Sequence, residues 1–332
     1  MSSAPHADEP RFSDIEAARQ RIAGQAVRTP LLESPLFNER VGGRVFFKPE
    51  CLQRTGSFKF RGAYNKLKKL KDAGAAEAVV AFSSGNHAQG VAAAAQLLGL
   101  RATIVMPQDA PAIKVRNTRG YGAEVVLYDR DSEDREAIGR RVAAETGAML
   151  VPPFDDPDVI SGQGTIGLEI LEDAAARGVT LDAVLCCCGG GGLISGIALA
   201  IKSRRPDLPI HAVEPAGFDD TLRSLQSGTR QKVTPGAKSF CDALLSPMPG
   251  EITFSLNSRL LNGAFSVTDA EVAEGMRAAF TDLKLVTEPG GTVALAAVLA
   301  GKLPTRGRAI AVVISGGNVD PELYAAILTG NH

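Results

Sequence analysis

The sequence predicts an α/β protein of two doubly wound domains, each a parallel sheet with helices on both faces, and a working site in the cleft between them. Three observations predict it. Near-continuous apolar, strand-like runs alternate with helix-favouring runs along most of the chain, as happens when both faces of a parallel sheet are covered. There are too many such runs for one tidy sheet. A proline cluster, Pro152, Pro153 and Pro157, breaks the alternation in the middle, which suits a boundary between two bodies.

Taken in order, Ser13 with Glu16 fits a capping box ahead of a helix over 15–22, and 45–47 reads as a short strand. Strand-like runs follow at 78–82, 102–106, 124–128, 183–188, 210–213 and 309–314. Helical runs lie at 63–73, 87–98, 112–120, 131–146, 162–177, 193–204 and 268–283. No internal repeat is visible, and no low-complexity segment beyond a glycine run and a cysteine run.

A chain of 332 residues can bury two cores, and 45% hydrophobic with 22% charged residues describes an ordinary soluble protein. With 36 basic and 37 acidic side chains, it carries no electrostatic footprint for nucleic acid or an anionic membrane. A small-molecule substrate is therefore expected. Residues 1–12 are polar and lack the apolar core of a signal peptide, and no apolar run reaches the length of a membrane span. That points to the cytoplasm. The cysteines, Cys51, Cys186, Cys187, Cys188 and Cys241, lack metal-type spacing and read as small buried hydrophobes in a reducing compartment.

The chemistry centres on residues 55–62, TGSFKFRG, which set Lys59 between Phe58 and Phe60 where an irregular segment becomes a helix. Apolar neighbours and the positive helix end both disfavour an ammonium, which is what a Schiff-base lysine needs. A surface lysine whose stem lies on aromatics would read the same way. Company separates the two. Gly189, Gly190, Gly191 and Gly192 follow a buried strand and precede a helix, so their N–H groups can turn inward as a cup for an anion. No Walker lysine follows, and Ser195 stands where a third dinucleotide-type glycine would fall. Dinucleotide binding stays open as a rival, because Glu214 ends the next strand where a ribose-binding acid would sit; so does a plain strand-to-helix turn. A single phosphate cup with a low-pKa lysine is the pair that pyridoxal phosphate needs.

In this order, the lysine run, Ser83-Ser84-Gly85-Asn86-His87, the glycine cup with Leu193, and Ser315-Gly316-Gly317-Asn318 resemble the fold-type II pyridoxal-phosphate enzymes (tryptophan synthase β-like). Within these, they resemble the serine/threonine dehydratase and serine racemase branch, which includes 3-hydroxyaspartate dehydratases. The resemblance spans nearly the whole chain. It implies a small mobile domain, 78–153, inserted into a discontinuous large domain, 1–77 and 154–332. Lys59 would carry the cofactor and take the Cα proton, with the phosphate on Gly189 to Gly192 and Leu193, Phe58 against the ring, Asn86 at the phenolic oxygen and Ser315 at the pyridine nitrogen. A neutral hydroxyl there makes the ring a weaker electron sink, which suits elimination.

The resemblance also assigns a substrate side. Ser83, Ser84, Asn86 and His87 open a helix whose amides can take the substrate carboxylate. Ser84 matches the racemase residue that returns a proton opposite the lysine, and is equally a good helix cap. Arg135 would reach a distal carboxylate, as in 3-hydroxyaspartate; the bland alternative is a surface arginine paired with Glu133 or Asp131. Ser239 falls at a substrate-side serine, and Phe240 departs from the serine pair of racemases. Glu214, the Phe218 carbonyl and Asp220 match a metal loop suited to Mg²⁺, Mn²⁺ or Ca²⁺, where a merely solvated acidic loop is the alternative.

The expected reaction converts a β-hydroxy-α-amino acid, serine/threonine or 3-hydroxyaspartate, to a 2-oxo acid and ammonia. Serine racemisation is the alternative, and a nucleotide-binding regulatory protein is a third reading. The family suggests a homodimer, and the short stretch after 309–314 leaves no room for a regulatory domain.

Overall fold

The structure, a computed structural model, describes residues 6–130 and 132–331. Asp131, where the sequence predicts a helix to start, lies outside the described residues, as do the first five. The first half contains α1 (Phe12–Ile22), β1 (Leu32–Glu33), α2 (Pro35–Val41), β2 (Arg44–Pro49), α3 (Lys59–Asp72), β3 (Ala78–Phe82), α4 (Asn86–Leu98), β4 (Arg101–Pro107), α5 (Ala112–Gly120), β5 (Glu124–Tyr128), α6 (Arg135–Thr146) and β6 (Met149–Leu150). The second contains α7 (Pro157–Ala176), β7 (Ala183–Cys187), α8 (Gly192–Lys202), β8 (Ile210–Pro215), α9 (Asp220–Ser227), α10 (Glu251–Leu260), β9 (Gly263–Val267), α11 (Asp269–Ala278), α12 (Pro289–Leu299), β10 (Ala309–Ile314) and α13 (Pro321–Thr329).

Two sheets result. The larger has six strands in the order β1-β2-β10-β7-β8-β9, parallel except for β1 against β2. The smaller has four, β5-β4-β3-β6, all parallel and all drawn from one stretch of chain between Ala78 and Leu150. Side-chain alternation along β3 shows both faces covered: Val79 and Ala81 join a core with α3 and α4, while Ala78, Val80 and Phe82 join one with Ile138 of α6. The six-stranded sheet carries the largest core, which includes Phe46, Phe47, Leu185, Val213 and Val312. Among the described residues no helix is long and apolar enough to cross a membrane.

Several elements differ from their sequence reading for identifiable reasons. The first helix starts at Phe12, and Asp14 rather than Glu16 closes its cap by accepting the Arg11 N–H at 2.7 Å. Ser13 is thus inside the first turn. α7 starts five residues before 162, because Pro157 occupies the first helical position, where a proline costs no hydrogen bond, and Asp156 caps it. What looked like a break is a helix start. The predicted helix over 268–283 is α-helical only to Ala278 and ends in one π turn, Ala279–Leu283, with Lys284 left-handed at φ 59°. α12 has no reading in the sequence: it opens on Pro-Gly-Gly and is buried on every side, so it shows no amphipathic stripe.

Two features fix the segment ahead of α3. α7 crosses α3 at Gly162, where a Cβ would stand 2.6 Å from the Gly62 Cα, and crosses α8 at Gly164 and Gly196. Inside the first crossing lies Arg61, fully buried. Its guanidinium donates to Glu50 (2.8 and 2.9 Å) and to Glu169 (2.7 and 2.9 Å), and Lys48 reaches Glu169 at 2.6 Å. Burial alone would raise the Glu169 pKa; Arg61 and Lys48 outweigh it and hold the carboxyl below its ordinary range.

Candidate active site

The cleft is lined by the segments that leave the carboxyl ends of strands, the usual ligand position of parallel sheets. From the six-stranded side, β7 delivers Cys187 and the glycine run, β10 delivers Ser315, and the segment after β2 delivers Phe58 and Lys59. From the four-stranded side, β3 delivers Ser83 to His87, β5 delivers Arg130 and Arg135, and β6 leads to Pro153 and Phe154. Two bodies thus contribute to one site.

Lys59 is the first residue of α3, between two cores: Phe58 packs in the large one and Phe60 in that of the small sheet. Its Nζ donates to the Pro153 carbonyl at 2.7 Å and stands 5.2 Å from the Phe58 ring centroid. Burial pulls its pKa down to about 8, with Cys187 and Glu288 pulling the other way. The backbone leading to it is unusual. Thr55 and Gly56 both have positive φ, 68° and 71°, and the Thr55 carbonyl is pinned by Asn318 Nδ2 at 2.8 Å.

The glycine run makes a tight turn between β7 and α8. Gly191 sits at φ +100°, and a Cβ on Gly190 would lie 2.4 Å from the Phe154 ring, so neither position accepts a side chain. Thr253 Oγ1 donates to the Gly190 carbonyl at 2.7 Å and supports the loop from behind. α8 then begins at Gly192 with Leu193 buried behind it, so N–H groups and a helix N-terminus face the cleft. Glu214, the acid of the dinucleotide reading, is fully buried and accepts the N–H groups of Thr221 (2.9 Å) and Leu222 (2.8 Å). It is turned away from any ribose.

Ser315 and Cys187 both line the cleft floor, and the Ser315 carbonyl accepts the Phe58 N–H at 3.1 Å. Asn86 heads α4; its Nδ2 donates to Glu288 at 2.5 Å and its Oδ1 accepts from Asn318 at 2.9 Å. An anion cup, a depressed amine, an aromatic wall at Phe58 and a neutral hydroxyl at Ser315, all on one cleft, fit pyridoxal phosphate.

On the substrate side, Ser83, Ser84 and His87 all line the cleft, at the open first turn of α4. His87 Nε2 lies 2.9 Å from the Val151 carbonyl, and burial, helped by the Lys59 charge, brings its pKa to about 3, so it stays neutral. Arg135 lines the cleft with its guanidinium 5.6 Å from the Phe82 ring centroid. The pairing with Glu133 does not form: Glu133 accepts the Asp129 N–H instead, and among the described residues no carboxylate is within ion-pair reach of Arg135. Ser239 donates its hydroxyl to Asp269 at 2.6 Å, and Ser246 lines the cleft.

The acidic loop keeps its two carboxylates indoors. Burial, then the neighbouring Asp220 charge, pushes Glu214 up to about 8, and burial pushes Asp220 up to about 7. Asp220 Oδ2 is buried without a hydrogen-bond partner, which is what a carboxylate awaiting a cation looks like. Among the described residues no three His, Cys, Asp or Glu side chains converge, so a cation here would lean on the Phe218 carbonyl and water.

Sequence reasoning missed Pro153, Phe154, Lys114, Arg130, Asp242, Leu244 and Glu288 on the cleft or against it. The only local signal was the proline cluster at 152–157, which reads as a boundary rather than as a wall.

This fold and site define a pyridoxal-phosphate-dependent enzyme. The pyridoxal-phosphate dependent enzyme family matches residues 22–316, and the chain belongs to it. Within that class it falls in the branch of hydroxy-amino-acid ammonia-lyases and serine racemases. It is 46% identical to the L-threo-3-hydroxyaspartate ammonia-lyase of a Pseudomonas species over 96% of this chain and 98% of that one. It is 39% identical to the serine racemase of Schizosaccharomyces pombe, covering 96% and 98%. The crystal structure of a T.th. threonine deaminase superposes with a TM-score of 0.88 at 44% identity, covering 94% and 99%.

The buried environment of Lys59 sets a pH dependence. In cofactor-free protein, the rate at which Lys59 captures an added aldehyde should rise with pH through a midpoint near 8, where an ordinary lysine titrates at 10.5. Stopped-flow absorbance against pH measures it, with Lys59→Ala as the blank. A midpoint above 10 would mean that burial does not control this amine.

Proposed function

We propose that the protein dehydrates and deaminates 3-hydroxyaspartate: water leaves across Cα and Cβ, and hydrolysis then yields a 2-oxo dicarboxylate and ammonia. The observation that carries this is Arg135, which has no carboxylate partner among the described residues and lines the same cleft as the uncapped first turn of α4. The two give a dicarboxylic amino acid one anchor for each carboxylate. The 46% identical Pseudomonas protein and the 43% identical Saccharomyces cerevisiae protein, both L-threo-3-hydroxyaspartate ammonia-lyases, support the same reading.

Held by Lys59, the glycine cup, Phe58 and Ser315, pyridoxal phosphate supplies an aldehyde for the substrate amine and a ring that spreads negative charge away from Cα. The chain does the rest. Lys59 Nζ, partly neutral near pH 8, takes the Cα proton. The first-turn N–H groups of α4 hold the α-carboxylate, and Arg135 holds the distal one, so the Cβ hydroxyl keeps a fixed direction as it leaves. Phe82, Phe154 and Leu244 keep bulk water off the floor of the cleft. Segment 78–153, which holds the whole four-stranded sheet, is the body we expect to close. Ser84 on the cleft wall favours a second reading, return of a proton to Cα and hence racemisation.

We also assign a divalent cation, Mg²⁺ by preference, to Glu214, Asp220 and the Phe218 carbonyl, on the strength of the two buried carboxylates and the unpartnered Asp220 Oδ2. A homodimer would give cover to some of the large apolar side chains left exposed, among them Leu36, Leu52, Phe280 and Val286 (60, 50, 46 and 53%).

Three experiments test these readings. Ammonia release should favour one 3-hydroxyaspartate isomer over serine and threonine, and Arg135→Ala should cut kcat/KM for that isomer by roughly 10 to 100-fold while serine changes only a few-fold. A preference for serine that ignores Arg135 would return the arginine to the surface. Millimolar Mg²⁺ should raise the thermal midpoint of the wild type and leave that of Asp220→Asn unmoved; no shift in the wild type would refute the cation. Sedimentation should show a dimer that Phe280→Asp splits, and a wild-type monomer at micromolar concentration would end that proposal.

A further inference from the structure

Lys114 has no part in the chemistry above, yet it is one of the most deeply buried charges in the molecule. It belongs to α5, on the four-stranded side, and is only 1% exposed. Its Nζ donates to Asp242 Oδ2 at 2.7 Å and to Glu288 Oε2 at 3.1 Å, both on the six-stranded side. To reach them its stem runs past Gly85, where a Cβ would stand 2.3 Å from the Lys114 Cδ. No residue with a side chain fits at 85 while the lysine is seated.

The contact continues beyond the pair. The other oxygen of Glu288 accepts from Asn86 Nδ2, the first residue of α4, and Asn86 Oδ1 accepts from Asn318, which also holds the Thr55 carbonyl. One line of hydrogen bonds therefore runs from α5 through the head of α4 to the backbone four residues before Lys59. Burial works against the Lys114 ammonium, and the carboxylates of Glu288 and Asp242 outweigh it, holding its pKa above the ordinary lysine value. The remaining large contact across the two bodies is apolar: α3 packs on α4 through Phe60, Ala63, Tyr64 and Leu67. An apolar face tolerates small slips, whereas a buried charge with two fixed partners has one acceptable position.

We propose that Lys114 is the pin that locks the four-stranded body against the six-stranded body, and that its seating on Asp242 and Glu288 sets the position of Asn86 and of the first turn of α4, where the substrate carboxylate binds. Lys114 is a positioning residue, acting through Glu288 and Asn86. The inference holds for any amino-acid substrate of this cleft and does not rest on the choice of hydroxyaspartate.

Hydrogen exchange on the pyridoxal-phosphate-loaded enzyme tests it, with Lys114→Met, which keeps the stem and loses the charge. Amides in 83–90 and 112–120 should exchange about tenfold faster than in the wild type, with the strands of both sheets unchanged. KM for the preferred amino acid should rise about tenfold while kcat falls less. Uniformly faster exchange across both sheets, or wild-type exchange over 83–90, would overturn the proposal and leave Lys114 a stabilising ion pair. If Lys114→Met does not fold, Asp242→Asn decides, since that side chain is 33% exposed. It should loosen the same two segments about threefold, and wild-type exchange there overturns the pin equally.

Discussion

The structure hangs on a guanidinium that water never reaches. Arg61 lies two residues after Lys59 and is held along two edges by Glu50 and Glu169, the first from the turn after β2 and the second from the middle of α7. Bidentate pairing fixes direction as well as distance, and a buried pair cannot slide without leaving a bare charge. The start of α3 is consequently placed by two other pieces of chain at once. Lys59 inherits that placement without making any of those bonds.

Placement alone would leave an ordinary lysine. What lowers the pKa of this one is its burial where two cores meet, with Phe58 in one and Phe60 in the other. The amine is desolvated by both bodies and needs both to stay so. The same division runs through the rest of the cleft: the glycine run, Ser315 and Glu288 lie on the side of the large sheet, while the first turn of α4 and Arg135 lie on that of the small one. Groups from both sheets therefore meet across one cleft, and bonds such as Asn86 to Glu288 and Lys114 to Asp242 tie the two sides together there.

Much of this was legible in the sequence because it is written locally. The runs 78–82, 124–128 and 309–314 are strands to the residue, being short, apolar and bounded by breakers. The glycine cup and the aromatic neighbours of Lys59 carry their physics in adjacent letters. Glu288 and Lys114 do not: they are 174 residues apart, and nothing near either marks it as one half of a pair. Ser246, which lines the cleft, went unread for a related reason. The stretch from 228 to 250 holds no strand or α-helix, so no periodicity tells which serine faces the cleft. α12 hid for the opposite reason, since total burial erases the very pattern by which a helix is read.

The pair of left-handed residues before Lys59 has a consequence of its own. Glycine sits at φ 71° at no cost, but Thr55, β-branched and at φ 68°, resists by on the order of 1–3 kcal/mol. The strand exit from β2 is therefore under tension, held taut by Asn318 at one end and Arg61 at the other. A taut line has little slack. The segment ahead of Lys59 is thus fixed by a strained residue as well as by contacts, and that strain lowers the stability of the fold.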